Sequence, residues 1–143
     1  MARERNAVIE LFWRIHPKIF RWSGGRIGRS MMGMPILVLT TRGRKSGLER
    51  TRALTYLPRG DDFVVFASNL GGEKHPLWWL NLEADPNAAV EVGGERIPVR
   101  AREAEAEERE ALWQAINAKV PDYDVYQAQT PRRIPVVVLE RQQ

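Results

Sequence analysis

Residues 36–47 read Ile-Leu-Val-Leu-Thr-Thr-Arg-Gly-Arg-Lys-Ser-Gly, an apolar run that passes directly into a basic turn with two glycines. The run over 36–41 has the β-prone, apolar composition of a buried strand. After the turn, residues 50–57 resume an extended pattern with four apolar side chains. The stretch therefore predicts a strand, a tight turn and a second strand.

The turn itself, residues 42–47, has the composition of an anion-binding loop. Arg42, Arg44 and Lys45 supply positive charge, and the two glycines let backbone N–H groups approach a ligand. A solvated basic hairpin tip has the same composition, so both interpretations stay open at this point.

Length and composition limit the classes of protein that need to be considered. A chain of 143 residues is most simply one domain with a single core. There is no cysteine, which excludes disulfides and thiolate nucleophiles, and two histidines are too few for the usual histidine-rich metal sites. We predict no metal site. No apolar segment resembles a signal peptide or approaches the roughly 20 residues of a membrane span, so we expect a cytoplasmic protein.

The net charge of +4 is unevenly distributed along the chain. Residues 1–59 hold thirteen Lys and Arg against three Glu, whereas residues 60–143 hold nine against fifteen acidic residues. The basic character thus belongs to the first part of the chain and to the basic turn. This pattern argues against a broad basic face, and we predict no nucleic-acid partner.

The first 30 residues are predicted to be a basic amphipathic arm, followed by a barrel domain over 31–143. Residues 6–22 have the pattern of an amphipathic helix: apolar side chains recur at helical spacing, and basic side chains lie to one side of them. Pro17 predicts a kink in this helix. Such a helix can lie in a membrane interface or can cap the core or a partner subunit. A peripheral position on the inner face of the cell membrane is therefore an alternative to a purely cytoplasmic one.

The rest of the chain alternates between strand and helix patterns separated by short turns. We expect a strand over 63–68, a helix over 77–84, a hairpin of strands 88–92 and 95–101, a helix over 105–120 and a last strand over 134–139. Pro98 predicts that its strand lies at an edge or is bulged. The order β-β-β-α-β-β-α-β predicts a mainly β (α+β) fold: a small, largely antiparallel barrel with helices packed at its openings.

Three further clusters are suited to lining a pocket beside the basic turn. Residues 67–72 end a strand in small polar side chains, residues 75–81 carry two tryptophans, and residues 123–126 carry two tyrosines at positions i and i+3. The chain lacks the nucleophile elbow, the phosphate-binding loop and the dinucleotide fingerprint of common enzyme folds. If the protein is an enzyme, a bound cofactor must supply the reactivity.

Three runs in series, residues 39–47, 67–72 and 76–82, resemble the deazaflavin-dependent nitroreductase family, and shorter matches continue to residue 139. The resemblance covers about residues 30–140. It implies a split β-barrel that binds the deazaflavin coenzyme F420, whose phosphodiester and glutamate tail are strongly anionic. FMN is the less expected cofactor.

The resemblance also implies site residues by position. It places Tyr123 and Tyr126 on the substrate side, and as catalytic groups we expect Tyr126 first, as proton donor or carbonyl partner, and then Tyr123 and Ser68, because a neutral tyrosine can polarise a carbonyl oxygen. The chain departs from the family at Asn69, where lysine is common, and at Val120, where tyrosine is common. We expect one cation fewer near the cofactor and a more apolar substrate pocket. The predicted cofactor-binding residues are Arg44, Lys45, Ser46, Arg50, Thr51, Arg52, Ala53, Leu54, Thr55, Phe66, Ala67, Ser68, Asn69, Leu77, Trp78, Trp79, Leu80, Asn81 and Tyr123.

The function that the resemblance implies is hydride transfer from reduced F420 to a quinone, an activated enone or a nitroaromatic compound. Two alternatives stay open: a module that binds F420 or an apolar ligand without turnover, and an FMN-dependent oxidase on the same fold. The expected assembly is a monomer or a homodimer.

Overall fold

The computed structural model describes residues 30, 31 and 33–142. The predicted helix over 6–22 lies outside these residues. The described part contains eight strands and three α-helices. The strands are β1 Ser30–Met31, β2 Met34–Arg42, β3 Glu49–Thr55, β4 Leu57–Arg59, β5 Asp62–Phe66, β6 Asn87–Val92, β7 Glu95–Glu103 and β8 Val136–Arg141. The helices are α1 Leu77–Ala84, α2 Ala106–Lys119 and α3 Asp122–Ala128.

The strand order shows how the sheet closes. All pairs are antiparallel, and the sheet runs β3-β2-β6-β7-β8-β5-β4, with β1 forming a short hairpin on β2. The strands at the two ends of this order, β3 and β4, are separated by Tyr56 alone. The sheet must therefore curl until its ends meet. The predicted split β-barrel, largely antiparallel and with packed helices, is confirmed.

Side chains alternate between the two faces of the barrel wall, as the period of a strand requires. Phe63 and Val65 of β5 point into the interior, where they pack with Trp79 and Leu82 of α1. Val64 and Phe66 face outward and join a second core under α2 and α3. The barrel thus has an apolar centre and an apolar outer patch, and both α2 and α3 pack on the latter.

The predicted strand over 50–57 is broken at Tyr56. The Tyr56 backbone N–H donates to the Pro35 carbonyl at 3.0 Å, outside the β2–β3 ladder. Its ring meets Phe63 edge-on, with centroids 5.3 Å apart. The chain changes direction at this buried residue, because it crosses there from one end of the sheet to the other.

The prediction that the strand of Pro98 lies at an edge is wrong, since β7 lies between β6 and β8. The Pro98 carbonyl accepts from the Gln142 N–H at 2.8 Å, one residue beyond the end of β8. A residue in a strand directs its N–H and carbonyl to the same side. The missing N–H of Pro98 therefore faces Gln142, and the proline removes only the final bond at the end of the ladder with β8.

Helix α1 begins and ends at the predicted residues. Among the described residues, none of the helices is long and apolar enough to span a membrane. The same part of the chain holds no group of three acidic or histidine side chains that could bind a metal ion.

Candidate active site

A cleft of about 870 Å³ lies between the basic turn and the start of α1. Its lining combines the turn, strand β3 and the segment that leads into α1. The described lining residues are Thr41, Gly43, Arg44, Lys45, Ser46, Arg50, Thr51, Arg52, Asn69, Leu70, Gly72, Lys74, His75, Pro76, Leu77, Trp78 and Asn81.

The basic turn is held by its own backbone. The Gly43 N–H donates to the Leu48 carbonyl at 2.8 Å, and the Gly47 N–H donates to the Gly43 carbonyl at 2.8 Å. A Cβ at Gly43 would lie 2.7 Å from the Ser46 hydroxyl oxygen and 3.2 Å from the Leu48 carbonyl oxygen, so a larger residue there would displace the Ser46 side chain. Ser46 in turn accepts from the Leu48 N–H at 3.1 Å and from Arg50 Nη2 at 3.4 Å.

Asn81 attaches the turn to α1. Its amide oxygen accepts from the Arg44 N–H at 3.1 Å, and its amide nitrogen donates to the Thr41 hydroxyl at 3.1 Å. Asn81 is buried, and so is Thr41. The predicted role of Asn81 at the ring of the cofactor stays a prediction. What the structure adds is that this side chain fixes the basic turn against the opposite wall.

The cleft is strongly cationic. Five basic side chains line it, namely Arg44, Lys45, Arg50, Arg52 and Lys74, and no described lining residue is acidic. The third cation of the turn, Arg42, does not line the cleft; its Nε lies 3.8 Å from Asp85 Oδ2. The charge that faces the cleft is thus not neutralised by a carboxylate within its lining.

The cleft continues into a smaller recess of about 70 Å³. Arg52, Asn69, Leu70, Pro76 and Trp78 line both spaces. The other residues of the recess are mostly apolar or aromatic: Leu54, Thr55, Phe66, Ser68, Tyr123 and Tyr126. A charged outer space thereby leads to an inner space whose walls are largely apolar.

Helix α3 places both predicted tyrosines at the recess. The rings of Tyr123 and Tyr126 meet edge-on with centroids 5.5 Å apart, and Tyr123 also packs on Phe66 at 5.2 Å. Burial raises the pKa of Tyr123 to about 12 and outweighs the opposite influence of the Thr55 hydroxyl. Tyr123 is therefore a neutral phenol at physiological pH.

Residues 67–72 form a strained loop on the other side of the recess. Asn69 and Leu70 have φ of 47° and 55°, the left-handed region that side chains rarely adopt. Ser68 is only 8% exposed, and its hydroxyl has no hydrogen-bond partner among the described residues. A buried hydroxyl of this kind is available to a ligand in the recess.

The two departures from the family lie in different surroundings. The Asn69 side chain donates to the Lys74 carbonyl at 3.1 Å, and Lys74 places a cation on the same wall of the cleft. Val120 lies in the outer core and lines neither space. The predicted effect of Val120, a more apolar substrate pocket, therefore does not come from a side chain in the described pocket wall.

Most of the predicted site residues line one of the two spaces, but Ala53, Ala67, Trp79 and Leu80 do not. The two alanines are fully buried, and Trp79 packs in the barrel interior. Their predicted contact with a cofactor is not supported by side-chain position. The prediction also omitted lining residues, among them Lys74 and His75, and it omitted Arg132.

Arg132 closes the back of the 67–72 loop. Its guanidinium donates to three backbone carbonyls, those of Gly72 at 2.9 Å, Ala67 at 3.0 Å and Ser68 at 2.6 Å. These acceptors lie 60 to 65 residues away along the chain. Strand β5 ends at Phe66, two residues before the predicted end, and the next two carbonyls, those of Ala67 and Ser68, bind Arg132.

Comparison with known proteins agrees with this geometry. The family model for F420H(2)-dependent quinone reductases matches residues 12–141. An F420H(2)-dependent quinone reductase of Mycobacterium tuberculosis (strain H37Rv) is 39% identical over 142 residues, covering 96% of this chain and 95% of that protein.

Two solved structures are similar. One is an F420-H2 dependent reductase, at 39% identity and a TM-score of 0.68, covering 74% of this chain and 94% of the other. The second, described as a domain-swapped dimer, has the same identity and TM-score and covers 74% of this chain and 80% of the other. Because the family match spans most of the sequence, the chain belongs to the F420H(2)-dependent quinone reductase family.

Proposed function

We propose that the protein transfers a hydride from reduced coenzyme F420 to a quinone. The observation that carries this proposal is the junction of a cationic cleft, with no acidic residue in its described lining, and an apolar recess with two tyrosines. A polyanionic cofactor with a planar ring needs both kinds of surface within one site. Membership of the family adds the identity of the cofactor.

The residues present fit this cofactor. Its phosphodiester and glutamate carboxylates match the donors of Arg44, Lys45, Ser46 and Arg50 on the turn wall. Trp78, which lines both spaces, offers a flat apolar wall for the ring. When bound, F420 supplies the hydride; the chain binds it, orients the acceptor and keeps water from the recess.

Reduction of a quinone to a quinol requires one hydride and one proton. The Tyr126 hydroxyl is the first candidate to donate a hydrogen bond, and then a proton, to the quinone oxygen, because this side chain lines the recess. Tyr123 is more deeply buried, and its raised pKa makes it a weaker acid. The Ser68 hydroxyl, which has no partner in the described part of the chain, is a further candidate for binding the acceptor oxygen.

Activated enones and nitroaromatic compounds are further proposed acceptors. Like quinones, they are electrophiles whose oxygens accept hydrogen bonds, so the same donors of the recess can orient them. A comparison of initial rates for one quinone, one enone and one nitroaromatic compound would rank the three classes.

The direct test mixes purified protein, reduced F420 and menadione. The proposal predicts that absorption of the oxidised deazaflavin returns at one equivalent per quinone consumed. If F420 binds but no acceptor of a broad panel oxidises it, the protein is a binding module and the proposal is wrong. Tight binding of FMN with no uptake of F420 would instead favour the oxidase alternative.

We also propose that the basic arm over residues 1–30 brings the site to the membrane, where apolar quinones reside. Its support is the sequence pattern of residues 6–22. Flotation with anionic liposomes should be lost when residues 1–25 are removed. Equal flotation of both proteins would contradict this role.

A further inference from the structure

His75 stands on the wall of the cleft opposite the basic turn. It lines the cleft beside Lys74, while Arg44 and Lys45 line the turn wall. An anionic ligand in the cleft therefore lies between two basic walls. On this second wall, the neighbours of His75 show which of its ring nitrogens donates a hydrogen bond and which accepts one.

Arg132 determines that state. Its Nη1 lies 3.0 Å from His75 Nδ1. A guanidinium carries hydrogens on every nitrogen and can only donate, so Nδ1 must accept. The imidazole at this contact is then neutral, with its proton on Nε2.

The guanidinium is locked in this position. Its other contacts are the three carbonyls of Ala67, Ser68 and Gly72, and no described carboxylate pairs with it. A cation held by four neutral acceptors keeps its full charge directed at His75 and the loop. It thus favours an imidazole that accepts through Nδ1 and leaves Nε2–H to donate.

His75 Nε2 has no hydrogen-bond partner among the described residues, and the ring is half-buried in the cleft wall. We propose that His75 is a ligand-binding residue: its Nε2–H donates to an anionic oxygen of the cofactor tail, and Arg132 is the positioning residue that sets its tautomer. This inference rests on the proposed function, since it takes F420 as the ligand of the cleft.

Three substitutions of His75 test the roles of its two ring nitrogens separately. His75→Asn keeps an acceptor near the Nδ1 position for Arg132 but has no donor at Nε2. His75→Gln restores a donor near the Nε2 position. His75→Phe removes both groups while keeping the ring shape. Binding of each variant is measured by calorimetric titration, which needs no turnover.

Three ligands locate the contact along the cofactor. They are F420, the form that ends without glutamates, and the deazaflavin riboside that lacks the phosphodiester as well. We expect His75→Asn and His75→Phe to weaken F420 binding at least about 10-fold, which is the lower end of the effect of one hydrogen bond to a charged group. His75→Gln should stay within about 3-fold, and riboside binding should not change.

The glutamate-free form decides which oxygen is bound. An undiminished effect of His75→Asn on that form assigns the contact to the phosphodiester, and loss of the effect assigns it to a glutamate carboxylate. Unchanged F420 affinity in His75→Asn and His75→Phe would overturn the proposal. So would equal losses for F420 and riboside, because His75 would then face the ring.

The tautomer has its own readout in the unmutated protein. Nitrogen NMR of the imidazole should show an unprotonated Nδ1 and a protonated Nε2, with Nε2 shifting on addition of F420. A protonated Nδ1 would overturn the role of Arg132. If F420 binds normally and only quinone reduction fails, the proposed function is wrong while the assignment of His75 holds; if F420 does not bind, both are wrong.

Discussion

The outer cleft and the inner recess share five lining residues but differ in almost every physical respect. Four of the five cationic side chains that line the outer cleft are exposed, whereas Ser68 and Tyr123 of the recess are 8% and 9% exposed. Exposed charges attract an anion over a distance and are weakened by salt. Buried hydrogen-bonding groups act only at contact, and their interactions are stronger in the drier surroundings. The contrast suggests that the cleft determines affinity and the recess determines the reaction.

The largest effect should come from the recess. Tyr126→Phe removes the proposed proton donor and should lower kcat roughly 100-fold, the lower end of general acid catalysis. The affinity for F420 should stay within about 2-fold, because the substituted hydroxyl lies away from the tail-binding wall. Stopped-flow oxidation of reduced F420 by menadione measures the first quantity and calorimetry the second. Unchanged turnover would remove Tyr126 from the mechanism.

The desolvation of the recess can be tested through Tyr123. Its pKa is raised from about 10 in the unfolded chain to about 12 in the fold, so the neutral phenol stabilises the fold below pH 10. That stability should be lost as the pH rises from 10 towards 12, by about 1.4 kcal/mol at pH 11.

Tyr123→Phe has no ionisable group and should lack this part of the alkaline loss. Urea unfolding of both proteins at pH 8 and pH 11 gives the difference. An equal loss in the two proteins would show that the phenol is solvated and that the recess is not dry.

In the outer cleft, Lys45→Ala should weaken F420 binding about 10-fold, since one charge-assisted contact is removed. Lys119→Ala is the matched control: this exposed lysine lies in the last turn of α2 and does not line the cleft. The affinity for the riboside should not change in either variant. If Lys45→Ala binds F420 as well as the control does, the turn does not hold the tail.

The smallest effect should come from the support of the turn. Asn81→Ala breaks both contacts to the turn and leaves the buried Thr41 hydroxyl with one partner fewer. We expect about 1 kcal/mol less stability and roughly a 3-fold loss of F420 affinity. Thermal unfolding and titration measure the two losses. A loss of affinity as large as that of Lys45→Ala would mean that Asn81 itself contacts the ligand.

The barrel can be predicted well from the sequence, because most of its strands follow from patterns among neighbouring residues. The apolar run of β2, the basic turn and the helix over 77–84 each depend on residues that are neighbours in the chain. The prediction that the strand of Pro98 lies at an edge was wrong, because the sequence does not show that β8 pairs with this strand and ends beside Pro98. The break at Tyr56 was missed for a similar reason, since the Pro35 carbonyl that binds its N–H belongs to another strand.

The site is less predictable than the fold, since its supports connect distant residues. Arg132 and its backbone acceptors are 60 to 65 residues apart, and a carbonyl acceptor leaves no mark in a sequence. Asn81 and Thr41 are 40 residues apart. Even the basic turn is misleading at Arg42, whose charge lies near Asp85 and away from the cleft. Charged residues can be predicted to form a site, but which of them face it depends on packing.

The most direct test is calorimetric titration of the unmutated protein with F420 and with the deazaflavin riboside, each at 0.05 M and 0.5 M salt. We expect micromolar binding of F420 that weakens several-fold at the higher salt concentration, and riboside binding that is weaker and insensitive to salt. Absence of F420 uptake, or F420 binding that matches riboside binding at both salt concentrations, would contradict a cationic cleft that holds the tail of the cofactor.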